Sequence, residues 1–157
     1  GVLKEAIHRF KYAGRRGLAG CLAGFMAAVA REEPLFKTAG LIVPVPLSGA
    51  KLRRRGFNQS LLLAREVGAL LRLPVEDRSL RKLSETPPQA GLPRAARKFN
   101  LENAFKAEGG TVVTGKSILL LDDVFTTGST LEAAASALRQ AGAGRVFGLT
   151  AATGRFS

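Results

Sequence analysis

Apolar residues recur at intervals of three and four along much of the chain, and in two places they run together in short unbroken stretches. Val2, Leu3, Ala6, Ile7 and Phe10 among charged neighbours predict an amphipathic helix over residues 2–12. Leu18, Cys21, Leu22, Phe25, Met26 and Val29 predict a second over 15–31, with Cys21 in the core and Pro34 beyond its end. Leu41, Ile42, Val43 and Val45, interrupted and closed by Pro44 and Pro46, read as a buried strand over 41–46 that opens into a loop. Leu61, Leu62, Ala64, Val67, Leu70 and Leu71 form one face of a helix over 57–71, and Pro74 restarts extended chain, with a strand over 75–83.

Residues 84–97 lose this periodicity. Pro87, Pro88, Gly91 and Pro93 make them a long loop of the kind that often serves as a lid. Extended pieces at 104–106 and 111–113 flank Gly109 and Gly110, which predicts a hairpin between them. The last forty residues are plainer. An apolar run at 117–121, a helical face made by Leu131, Ala134, Ala135, Leu138 and Ala141, and a second apolar run at 145–151 spell strand, helix, strand. With Gly142 as a left-handed cap, this predicts a right-handed βαβ unit in a parallel sheet and one α/β domain over 1–157.

A chain of 157 residues with 46% apolar and 23% charged side chains has enough core to fold without staples. One cysteine, Cys21, excludes an internal disulfide, and with the single His8 it leaves no zinc cluster, so no zinc is expected. No apolar stretch reaches the roughly 18 residues of a membrane span, so a cytoplasmic protein without membrane insertion is expected. The formal charge of +12 changes the picture more. Between residues 51 and 100 twelve basic side chains face four acidic ones, so an anionic partner is expected: a polyphosphate, nucleic acid or acidic lipid, against the plainer reading of a solvated basic face.

The candidate chemistry lies where the apolar run at 117–121 meets the following helix. Leu119, Leu120 and Leu121 lead into Asp122 and Asp123, then Val124, Phe125, Thr126, Thr127, Gly128, Ser129 and Thr130. A helix N-terminus presents backbone N–H groups without intrahelical acceptors at the positive end of its dipole, which suits a phosphate dianion. Gly128 permits close backbone approach, and the four hydroxyls add donors. Two carboxylates beside a phosphate are unfavourable unless they do something else. Vicinal hydroxyls of a sugar, or a hydrated Mg²⁺ beside them, supply that purpose. The string lacks both the Walker A and the dinucleotide glycine patterns. The plainer reading is a capped helix after a strand with a solvated acidic pair.

This string resembles the phosphoribosyl pyrophosphate (PRPP) signature of type I phosphoribosyltransferases. Val43, Pro44, Val45, Pro46 and Leu47, then Arg55, Gly56, Phe57, Asn58 and Gln59, then Thr86, Pro87, Pro88 and Gln89 with Arg97 and Asn100, and finally Ala104 and Phe105, resemble the competence protein F (ComF) family. The resemblance implies a mainly parallel sheet flanked by helices, with a small flexible hood from about 1–40 and 84–106. It implies that Asp122 and Asp123 hold the ribose hydroxyls, with Mg²⁺ directly or indirectly, and that Thr126, Thr127, Gly128, Ser129 and Thr130 hold the 5′-phosphate of PRPP or another ribose phosphate. Leu47 and Ser48 would lie in the pyrophosphate loop, with Arg54, Arg55, Asn58 and Gln59 reaching the diphosphate or a second substrate. The implied function is transfer of ribose 5-phosphate to an unidentified acceptor with release of pyrophosphate, in the context of DNA uptake. DNA, a competence helicase or a second copy in a homodimer are the candidate macromolecular partners. The alternative is a non-catalytic PRPP-sensing or nucleic-acid-binding module. Many members of the family carry a Cys-rich zinc ribbon that this chain lacks, and Phe125 is bulkier than the usual aliphatic residue.

Overall fold

The computed structural model describes residues 17–83, 91, 93–96, 103–108, 110–125 and 128–153. The predicted helix over 2–12 lies outside them. Helix α1, Gly17–Glu32, is followed by a 3-10 turn at Phe36–Thr38 and strand β1, Leu41–Pro44. Two helices come next, α2 over Gly49–Arg55 and α3 over Gln59–Leu71. Strands β2, Leu80–Lys82, and β3, Phe105–Ala107, precede the closing unit of β4, Ile118–Phe125, α4, Ser129–Gln140, and β5, Val146–Thr153.

The main sheet has the order β1-β4-β5 and is parallel throughout. Central β4 is flanked on both sides, which is why its first half is a continuous apolar run: residues 118–121 are all 0% exposed. Alternation along β4 divides the core. Leu119 and Leu121 join Ile42, Leu63, Val67, Leu22 and Met26 under α1 and α3. Ile118 and Leu120 join Leu41, Val43, Ala134 and Leu138 under α4. This is the expected α/β arrangement, with helices on both faces of a parallel sheet.

Four expectations change. Helix α1 buries Ala19, Leu22, Ala23, Met26, Ala27 and Ala30, whereas Cys21 is exposed and Phe25 and Val29 are 68% and 53% exposed. The small alanines let α1 approach α3 closely, so the helix keeps Leu22 and Met26 in the core and turns Phe25 and Val29 outward. The loop predicted after Pro46 contains α2. Ser48 Oγ accepts from Lys51 N at 3.2 Å, and Gly56, at φ 79°, ends the helix in the left-handed conformation. The strand expected over 75–83 is two separate pieces. Val75 bridges Ile42 at the outer edge of β1, and β2 pairs with β3. The hairpin expected around Gly109 and Gly110 does not form, since residues 111–115 are turn and β3 runs antiparallel to β2 instead. That pairing lets Leu80 and Phe105 share the apolar layer under α4. Of the stretches expected to form a hood, residues 17–32 pack on the sheet, and β2 and β3 bracket a segment largely outside the described residues. No helix among the described residues is long and apolar enough to cross a membrane.

Candidate functional site

Strand β1 ends at Pro44, opposite Leu121, and Val45 N donates the last bond to Leu121 O at 2.8 Å. Beyond that point β4 keeps β5 as a neighbour, with Asp122 opposite Thr150, but has lost β1. The first turn of α3 takes over that side. Alternation sends adjacent strand residues to opposite faces, yet both carboxylates meet consecutive residues of α3. Gln59 Nε2 donates to Asp123 Oδ2 at 3.2 Å, and Ser60 Oγ donates to Asp122 Oδ1 at 2.8 Å. Asp122 Oδ1 also accepts from Asp123 N at 2.8 Å.

The apolar run at 117–121 predicts a strand that ends at the acidic pair. Instead β4 continues to Phe125 and Asp123 is only 5% exposed, because α3 fills the edge that β1 leaves. Burial, reinforced by the neighbouring Asp123 carboxylate, pushes the Asp122 carboxyl up to about 7, against the opposing pull of the Asp123 N–H and the Ser60 hydroxyl. Near neutral pH the pair therefore carries less than two full charges.

Downstream of the pair, Gly128 stands at the N-cap of α4 with φ 80° and ψ −6°, a conformation that favours glycine, and its carbonyl accepts the first helical bond from Glu132 N at 2.9 Å. Ser129 opens the helix and Thr130 is exposed. Thr126 and Thr127 lie outside the described residues. Strand β4 thus delivers two carboxylates, and after four residues a helix N-terminus, at the carboxyl end of a parallel sheet, where open α/β folds bind ligands.

A cavity of about 510 Å³ lies on the other side of the α3 N-terminus, between α2, α3 and β2. Pro46, Leu47, Leu52, Leu61 and Leu62 supply apolar wall, and Arg65, Arg81 and Lys82 supply positive charge. Arg65 lies 3.9 Å from Asp77, and Arg81 pairs with Glu108 at 2.6 Å.

The family model for the phosphoribosyl transferase domain matches residues 58–152, from the cap of α3 to β5. The chain belongs to the phosphoribosyltransferase domain family. It is 34% identical to DNA utilization protein YhgH of Salmonella typhimurium over 92% of this chain and 64% of that protein. Against competence protein F of Haemophilus influenzae it is 33% identical over 89% of this chain and 63% of that protein, and against competence protein ComFC of Bacillus subtilis it is 30% identical over 90% and 55%. The chain thus spans less than two thirds of the length of these relatives. Among solved structures, a glutamine phosphoribosylpyrophosphate amidotransferase from B. subtilis superposes with a TM-score of 0.61 at 20% identity, over 92% of this chain and 30% of that one. That likeness establishes the type I phosphoribosyltransferase fold.

Within this phosphoribosyltransferase domain the second group of expected site residues separates. Leu47 and Asn58 line the cavity. Ser48 is buried as the cap of α2, Arg55 is half-buried, and Arg54 is exposed on α2 without lining the cavity. Gln59, expected to reach a diphosphate or second substrate, is 3% exposed and turned to Asp123. Asn58 caps α3, its Oδ1 accepting from Ser60 N at 3.0 Å and its Nδ2 donating to Val45 O at 3.3 Å. Four contributors were not singled out in the sequence: Ser60 at the acidic pair, and Arg65, Arg81 and Lys82 at the cavity. Ser60 looked like an ordinary helix residue, and only its place two positions after an Asn cap, on an otherwise apolar face, marked it. Arg65, Arg81 and Lys82 were counted in the basic stretch 51–100 but not singled out, because only the placement of β2 beside α3 brings them to one cavity.

Proposed function

We propose that this domain binds PRPP and transfers its ribose 5-phosphate to an acceptor nucleophile, releasing pyrophosphate. In that reaction the bond from C1 of the ribose to the diphosphate oxygen breaks, the electron pair leaves with pyrophosphate, and a bond from the nucleophile to C1 forms. The observation that carries the reading is the pair of α3-held carboxylates on β4, followed after four residues of the chain by the glycine-opened N-terminus of α4. Asp122 and Asp123 accept bonds from the ribose hydroxyls. Gly128, Ser129 and Thr130, with Thr126 and Thr127, receive the 5′-phosphate through backbone N–H groups and hydroxyls. The turn at Leu47 and Ser48 lies toward the diphosphate, and Arg54 and Arg55 of α2 add positive charge to that end of the domain. The cavity beside Asn58 takes the second substrate.

Among the described residues no cluster of three or more Asp, Glu, His or Cys side chains forms a resident metal cage. A buried pair of carboxylates fits Mg²⁺ that keeps most of its ligands as water and diphosphate oxygens. Such an ion would neutralise the leaving diphosphate. The names of the relatives place those proteins in DNA utilization and competence, and we place this domain's reaction in that setting.

Isothermal titration with Mg²⁺ and PRPP tests the reading. Micromolar binding is expected, weakened to roughly the millimolar range in Asp123→Asn and blocked in Gly128→Val, whose side chain occupies the space a phosphate needs. A screen for pyrophosphate release with candidate bases and amines then identifies the acceptor. Salt-steep DNA binding without PRPP binding would replace this reading with the nucleic-acid-binding one.

A further inference from the structure

Both carboxylates of the acidic pair are held from outside their own strand, and the groups that hold them are almost completely buried. Ser60 is 2% exposed and Gln59 3%. They start a helix whose other buried residues, Leu63, Ala64, Val67 and Gly68, are apolar or small. A hydroxyl and an amide in that place are costly to bury unless they are hydrogen-bonded, and alanine or leucine would pack there without the cost. Neither polar group is needed to start the helix. Asn58 does that by accepting from Ser60 N. The Ser60 hydroxyl is directed to Asp122, and the Gln59 amide donates to Asp123 while its Oε1 is buried with no hydrogen-bond partner among the described residues. An amide left half-satisfied is explained by the one bond it makes to the carboxylate and not by packing.

We propose that Ser60 and Gln59 are positioning residues: the first turn of α3 aims Asp122 and Asp123, and through them reads the sugar hydroxyls, without touching the ligand. The inference rests on the reading that the acidic pair binds ribose hydroxyls. It explains how neighbours on one strand act on one ligand. The edge that β1 vacates is filled by two side chains that redirect both carboxylates.

The test is a double-mutant cycle on the full chain, with the Kd for Mg²⁺ and PRPP measured by NMR titration, which reaches the millimolar range. Ser60→Ala should weaken binding about tenfold in the wild-type background, and less than twofold when added to Asp122→Asn, because the hydroxyl acts only through that carboxylate. Ser60→Thr, which keeps the hydroxyl, should restore affinity to within about threefold of wild type. Gln59→Met should behave toward Asp123→Asn as Ser60→Ala does toward Asp122→Asn. An unchanged Kd in Ser60→Ala, an equal loss in both backgrounds, or failure of Ser60→Thr to rescue overturns the proposal while PRPP binding by the wild type stands. Absence of PRPP binding in the wild type overturns both the proposal and the function on which it rests.

Discussion

Residues 118–121 of β4 are completely buried and hydrogen-bonded to β1 on one side and β5 on the other, whereas Asp122 and Asp123 keep only β5 as a strand neighbour. The first stretch is held by apolar burial from both faces. The second is held by two side-chain hydrogen bonds from α3 and carries a carboxyl displaced to about 7. One strand thus changes from a stabilising element to the candidate site over a single residue step, at the point where its neighbour stops. Stability is gained where β4 is sandwiched and given up where two neighbouring carboxylates are buried against α3.

The contrast can be broken most directly in the sandwiched half. Leu119→Ala removes a side chain at 0% exposure from the layer under α1 and α3 and should cost about 3 kcal/mol, read from urea unfolding. Gly68→Ala attacks the same layer from the helix side. Its Cβ would sit 2.8 Å from Val75 Cγ2 and 2.9 Å from Leu73 O, and since one of these is backbone, a loss of about 2 kcal/mol is expected in the same assay.

In the acidic half the sign reverses. The Asp122 carboxyl is raised in the folded protein from 3.8 to about 7, so folding takes up a proton between those values. Stability should therefore fall as pH rises from about 4 to about 7, with the penalty complete above that. Asp122→Asn should flatten this slope and stabilise the domain at pH 8 by roughly 1 kcal/mol, in thermal melts across pH, while weakening PRPP binding. A destabilised Asn variant at pH 8 would mean that the charge is better tolerated than its burial implies. The smallest effect belongs to the outer face of α1. Phe25→Ser, at a position 68% exposed, should change unfolding free energy by less than about 0.5 kcal/mol, against the large loss expected had the helix buried its aromatic.

Much of this was legible from residue order, and the exceptions have physical causes. The strand–helix–strand unit at the end of the chain was readable because each piece carries a full period of its own pattern, and the acidic pair with its glycine lies inside it. Helix α2 was not readable. Its seven residues carry four basic side chains and no buried residue, so no apolar face announces it, and only Ser48 and Gly56 mark its ends. The buried face of α1 was right at Leu22 and Met26 but wrong at Cys21, Phe25 and Val29, because periodicity favoured the large residues while close packing on α3 favoured Ala19, Ala23, Ala27 and Ala30. Ser60 was hard to read for a different reason: its importance depends on Asp122, 62 positions away.

Sequence alone determined the elements whose information is local: the apolar runs of β1, β4 and β5, the caps that start and stop helices, and the acidic pair followed by a glycine-opened helix. Tertiary structure alone decided which side chains those carboxylates meet and how readily they ionise. Both depend on where β1 stops and on which helix fills the edge it leaves, and a hydrogen bond across 62 residues has no signature in the order of either segment.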